Sequence, residues 1–161
     1  MRVVAIVGHQ GSGKTTLIER LIPELRDRGL TVSTIKHTHH HQIELDVPGK
    51  DSHRHRMAGA SEVIVASDSG WARLASSDRP TGLEALLNEL RPVNVVLVEG
   101  FKQLEWLRRV EVFRGAGMPL ASADPGISAV AAPAGVALAG HAGRRLDLDR
   151  IPEVADFILN D

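Results

Sequence analysis

The chain has 161 residues, 43% of them hydrophobic, a net charge of -1 and a pI near 6.7. It can therefore bury the core of one domain spanning 1–161, and it lacks the basic excess of a general nucleic-acid or membrane-surface binder. Without cysteine there is no disulfide, thiolate nucleophile or cysteine-ligated metal, and a cytoplasmic location is expected; no apolar run is long enough to span a bilayer or to serve as a secretion signal.

Val3–Val7 is a short, continuous apolar run, the pattern of a strand buried on both faces of a parallel sheet. A glycine-rich turn, Gly8 to Gly13, follows. From Lys14 to Arg28 the residues Leu17, Ile18, Leu21, Ile22 and Leu25 share one helical face. Pro23 should kink this helix or leave one carbonyl unpaired, and Gly29 should end it. Thr31–Lys36 reads as a second strand, completing a βαβ opening. A polar, histidine-rich loop from His37 to Gly49 leads to a short helix over Asp51–Ala60. Val63–Ser67 and Trp71–Ala75 flank Asp68-Ser69-Gly70, which predicts a β-hairpin. A helix over Gly82–Leu90, strands at Asn94–Val98, Val110–Arg114 and Ile127–Ala131, and a last helix from Pro152 complete the pattern. Alternating strands and helices predict an α/β, P-loop NTPase-like fold, with a mainly parallel sheet flanked by helices and an inserted hairpin. The hairpin's exposed edge could pair with a second copy.

The first turn carries the chemistry. Gly8-His9-Gln10-Gly11-Ser12-Gly13-Lys14-Thr15 fits the P-loop pattern G-x-x-x-x-G-K-[ST]. Glycine is needed where the backbone wraps a phosphate closely or takes positive φ, and the helix that follows aims its free N–H groups at the same anion. Residues 8–16, Thr16 included, are therefore the expected nucleotide cradle. Lys14 should reach the β- and γ-phosphates and Thr15 should ligate Mg²⁺. A bound triphosphate with Mg²⁺ is the expectation, since the motif sits between a buried strand and an amphipathic helix.

Val95-Val96-Leu97-Val98-Glu99-Gly100 adds a Walker-B pattern. It places Glu99 at the carboxyl end of a central strand, where it can hold Mg²⁺ or orient water. Lys14 and Glu99 are the expected catalytic pair. Only Lys14, Lys36, Lys50 and Lys102 are lysine, and arginine carries the remaining positive charge. A compact ammonium suits phosphate as a point charge, which marks these four for scrutiny.

Seven of the eight histidines fall between His9 and His55. Lys36-His37-Thr38-His39-His40-His41 leaves the second strand where a P-loop fold places the γ-phosphate. Imidazoles there can ligate zinc or nickel, bind an anionic partner, or simply line a polar loop. Asp46, in mid-loop, is the favoured further acid for Mg²⁺, with Asp51 as the alternative; Asp51 could instead cap the helix it begins.

The segments Lys36-His37-Thr38-His39-His40, Asp46-Val47-Pro48-Gly49-Lys50-Asp51-Ser52, Arg56-Met57-Ala58-Gly59-Ala60 and Val98-Glu99-Gly100-Phe101-Lys102, in that order behind the P-loop, resemble the MobB family of molybdopterin-guanine dinucleotide biosynthesis adapter proteins. The likeness covers the first two-thirds of the chain. It implies a homodimeric, weakly hydrolysing GTP-binding protein that assists the guanylyltransferase MobA in joining GMP to molybdopterin. It also implies that Gly8, Gly11, Gly13, Lys14 and Thr15 form the nucleotide site, with Asp46 and Glu99 as acids near Mg²⁺. The chain departs from relatives that carry lysine after the first P-loop glycine, where it has His9. It shows no Asn-Lys-x-Asp guanine-reading motif, so the base preference rests on the resemblance. The alternative is a nickel or zinc metallochaperone GTPase built on the histidine loop; a small-molecule kinase would need a lid that the pattern does not offer.

Overall fold

The computed structural model describes residues 1–38, 47–77, 79–141 and 143–160. Its elements in chain order begin with β1 (Arg2–Val7), α1 (Lys14–Asp27), β2 (Val32–Lys36) and α2 (Asp51–Met57). Then come β3 (Glu62–Ser67), β4 (Gly70–Ala75), α3 (Leu83–Asn88), β5 (Val95–Glu99) and β6 (Arg108–Val112). A single 3₁₀ turn (Leu120–Ser122), β7 (Ala129–Ala132), β8 (Arg144–Asp147) and α4 (Ile151–Asn160) complete the chain. They gather in two compact units, Met1–His37 with Asn88–Asp161, and Thr38–Leu87.

The larger unit is built on a six-stranded sheet in the order β2-β5-β1-β6-β7-β8, with every neighbouring pair parallel. The apolar runs of β1 and β5 suit its centre, because a parallel strand is covered on both faces. Val4, Ile6, Leu97, Val110, Val112, Ala131 and Leu146 form the face that packs against Leu17, Leu21 and Leu25 of α1 and Val154, Phe157 and Ile158 of α4. Arg28 fastens the two helices, donating to Asp156 at 2.6 Å. At the amino ends of β2 and β5, Thr31 and Asn94 exchange side-chain hydrogen bonds of 2.8–3.0 Å, so Thr31 clasps the strands and the ladder starts at Val32.

The opposite face of β6 is charged. Arg109 and Glu111 are buried there, alternating with Val110 and Val112 as the pleat requires. Arg109 makes a two-pronged pair with Asp124 at 2.6 and 3.0 Å. Both oxygens of Glu111 are taken, by the N–H groups of Leu120 and Ala121 at 2.7 and 2.9 Å. On β8, Arg145 donates to the carbonyls of Val136 and Ala134 at 2.7 and 3.1 Å. These side chains tie the irregular segments after β6 and β7 to the sheet.

Several expectations shift. The helix holding Pro23 runs unbroken, and the exposed ring leaves the Glu19 carbonyl without an i+4 N–H. Both α1 and α2 stop at glycines of positive φ, Gly29 (78°) and Gly59 (101°). Each end has the paired C-terminal hydrogen bonds of a Schellman motif, which halts α2 at Met57 rather than Ala60. Asp51 caps nothing: Lys50 holds the N-cap position, and Asp51 is the first helical residue. β6 begins two residues earlier than apolarity indicated, because Arg108 and Arg109 belong to the ladder. β8, Arg-Arg-Leu-Asp, escaped notice since an edge strand needs little apolar content.

In the smaller unit β3 and β4 form the expected hairpin, with Ser67 opposite Gly70 across the turn. Ile64, Val65 and Trp71 are exposed on it.

Removing the Glu111 carboxylate would orphan two N–H donors inside the fold. Glu111→Ala is expected to lower stability by about 2–4 kcal/mol, measured by urea denaturation, and Glu111→Gln to lower it less.

Candidate functional site

The P-loop joins β1 to α1 at the carboxyl edge of the sheet. Its shape depends on glycine at two crowded points. Gly8 has φ +142°, and a Cβ there would stand 2.6 Å from the Val112 carbonyl oxygen of the neighbouring strand. Gly13 has φ +97°, and a Cβ would meet the Arg114 Nε at 2.9 Å. Lys14 curls back over the loop, donating to the carbonyls of Gly8 at 3.0 Å and His9 at 2.8 Å. The Ser12 N–H closes the turn on the His9 carbonyl at 3.2 Å. The Ser12 hydroxyl is buried and, among the described residues, has no protein partner, a polar atom left for a ligand. Gln10, Gly11 and Thr16 lie exposed along the loop and the first turn of α1.

Parallel pairing sets Glu99 level with Ile6 on one side and Lys36 on the other. The Thr15 hydroxyl donates to both Glu99 oxygens, at 3.1 and 3.2 Å. Lys36 Nζ stands 3.6 Å from the same carboxylate, whose side chain is only 14% exposed. Burial lowers the Lys14 pKa from its ordinary value; Glu99 pulls against that shift, while Lys36 and Lys102 add to it. Three of the four lysines thus meet at the P-loop, Lys36 and Lys102 both acting on Lys14, and Lys50 belongs to the smaller unit. A hydroxyl and a carboxylate in contact are a hard-oxygen pair suited to Mg²⁺, beside lysines suited to phosphate. The residues present fit a nucleoside triphosphate with its metal ion.

Beyond Glu99 the chain turns sharply. Gly100 and Phe101 both take positive φ, 101° and 51°. The buried Phe101 ring lies 4.5 Å from the His37 ring, and the His37 N–H donates to the Glu99 carbonyl at 2.9 Å. His37 is thus packed against the end of β5. His39, His40, His41 and Asp46 lie outside the described residues. Among the described residues, no group of three histidine, aspartate or glutamate side chains is placed to share a metal ion. His9 has Nε2 3.3 Å from the Met118 carbonyl, a contact that requires the proton on Nε2.

Sequence reasoning missed Arg114. It follows β6 and donates from Nε to the Ser12 carbonyl at 3.2 Å. No P-loop motif includes it; the glycines around it, Gly115 and Gly117, were the sole local sign of an unusual backbone.

With this geometry in hand, the likeness to known proteins is informative. Residues 3–133 match the family described as Molybdopterin guanine dinucleotide synthesis protein B. The chain is 42% identical to the molybdopterin-guanine dinucleotide biosynthesis adapter protein of Haemophilus influenzae, across 98% of this chain and 88% of that one. It is 41% identical to the Escherichia coli protein of the same name, across 71% of this chain and 67% of that one. A crystal structure of molybdopterin-guanine biosynthesis protein B superposes with a TM-score of 0.74 at 27% identity, covering 98% of this chain and 97% of the other. The P-loop, its Walker-B partner and these likenesses agree: the chain belongs to the MobB family of molybdopterin guanine dinucleotide synthesis proteins.

Proposed function

We propose that this chain is a GTP-binding adapter, with at most weak GTPase activity, for the guanylyltransferase step that makes the molybdopterin guanine dinucleotide. The observation that carries the reading is the convergence of Lys14, Thr15 and Glu99 at the P-loop mouth of a MobB-family chain. Lys14 and the loop N–H groups from Gly8 to Thr16 hold the phosphates. Thr15 and Glu99 would hold Mg²⁺, which would supply charge neutralisation. Hydrolysis should be slow, since the sequence offers no obvious arginine finger or dedicated water-positioning glutamine.

The names of the relatives support the pathway, and a MobA-like guanylyltransferase is the partner proposed from it. A homodimer is supported by the hairpin, whose strands pair only with each other among the described residues and expose Ile64, Val65 and Trp71. A cytoplasmic location fits the absence of cysteine; among the described residues no helix is long and apolar enough to cross a membrane. No observation among the described residues favours the metallochaperone alternative.

Calorimetry with Mg²⁺ and GTP, then ATP, tests the core of the reading. GTP should bind more tightly, and Lys14→Ala should weaken it by roughly a hundredfold, the worth of one strong charge-assisted phosphate contact. Unchanged affinity in that variant would sink the P-loop assignment, and tighter ATP binding would remove the guanine part.

Lys14 also gives a pH signature. Its folded pKa is lowered by burial, so between the folded and unfolded values the unfolded chain holds more protons and ligand-free stability rises with pH. That alkaline rise, followed by urea midpoints, should flatten in Lys14→Met.

A further inference from the structure

Building on the nucleotide-binding reading above, we propose that Arg114 is a positioning residue of the P-loop, holding the Ser12 carbonyl outward so that the Gly13 N–H is presented to phosphate. A trans peptide sets its carbonyl and N–H antiparallel, and among the described residues there is no cis bond. Whatever grips the Ser12 oxygen therefore aims the Gly13 N–H to the opposite side. Arg114 grips it from Nε at 3.2 Å, and its guanidinium covers Gly13 so closely that a Cβ would lie 2.9 Å from Nε and 3.3 Å from Nη2.

The neighbouring carbonyls are committed in the same way. Lys14 takes those of Gly8 and His9, and the Leu17 N–H takes that of Gly13 at 2.9 Å. Arg114 adds the Ser12 carbonyl, from the segment that follows β6. It is exposed, and among the described residues it makes no other hydrogen bond or ion pair, so its contact with the loop is its one specific engagement.

The segment that carries Arg114 is rooted at both ends. The Phe113 N–H donates to the Ala131 carbonyl at 3.0 Å, and Glu111 holds the N–H groups of Leu120 and Ala121. Between these roots it meets the P-loop twice, through Arg114 at Ser12 and through Met118 at His9.

The test uses the full chain and calorimetric affinities for GTP and GDP with Mg²⁺. It compares wild type with Arg114→Ala, Arg114→Lys and the control Lys14→Ala, together with ligand-free melting temperatures. Gly13 serves the phosphates common to both nucleotides. Arg114→Ala should therefore weaken both by a similar factor, about tenfold for one charge-assisted hydrogen bond, with the ligand-free melting temperature unchanged. Arg114→Lys, which retains a cationic donor, should recover most of the loss. Wild-type affinity for both nucleotides in Arg114→Ala overturns the proposal while leaving the nucleotide reading intact, provided Lys14→Ala still loses binding. A loss confined to GTP overturns it in favour of a direct γ-phosphate contact. A fall in melting temperature with affinity intact overturns it in favour of a purely structural brace. If neither nucleotide binds wild type, both the brace and the nucleotide reading fall.

Discussion

The register between β1 and β5 governs the site. Because the pairing is parallel and sets Ile6 opposite Glu99, the P-loop and the Walker-B carboxylate leave the sheet at the same level and on the same edge. α1 then starts directly over β5, and its first turn brings Thr15 onto Glu99. A register slip of one residue would send Glu99 to the other face of the sheet, away from α1. Both strands lie in the buried centre of the sheet, so the core fixes where the Thr15–Glu99 contact forms.

Electrostatically the site is unfavourable to itself. Burial of Lys14 is the main cost, and Lys36 and Lys102 both repel it, against the attraction of Glu99. A nucleoside triphosphate would bring the negative charge that these ammonium groups lack, and the orphaned Ser12 hydroxyl points to the same conclusion through hydrogen bonding rather than charge. Lys36, paired with Glu99 at 3.6 Å, already offers the carboxylate a cation where a metal ion would serve it.

The far side of β6 shows a different use of charge. Arg109 and Glu111 are buried where an α/β sheet usually presents aliphatic residues, and they and the exposed Arg145 of β8 each bond to a neighbouring segment. Such groups add less net stability than apolar packing, yet they select one path for an irregular chain. That path matters because it passes over the P-loop. The same strand that buries Glu111 delivers Arg114 to Ser12 three residues later.

The local signals in this sequence were strong where they were periodic or motif-like. The short apolar runs, the helical spacing from Leu17 to Leu25, the turn at Asp68-Ser69-Gly70 and the spacing from Gly8 to Thr15 each encode backbone geometry within a few residues, so βαβ, hairpin and P-loop were all legible. Glu99 was legible too, because a carboxylate at the end of an apolar strand has few other places to go. What only the tertiary structure decided is which distant residues meet. Sheet order brings β6 beside β1, and with it Arg114 to Ser12 and Met118 to His9 across more than a hundred residues of chain. It also decided that β8 could be a strand with one buried apolar residue, since an edge position asks for backbone pairing rather than hydrophobicity. Periodicity reports how a segment meets the core; it carries no information about which strand lies next to which, and that adjacency is what assembles the charges around the loop.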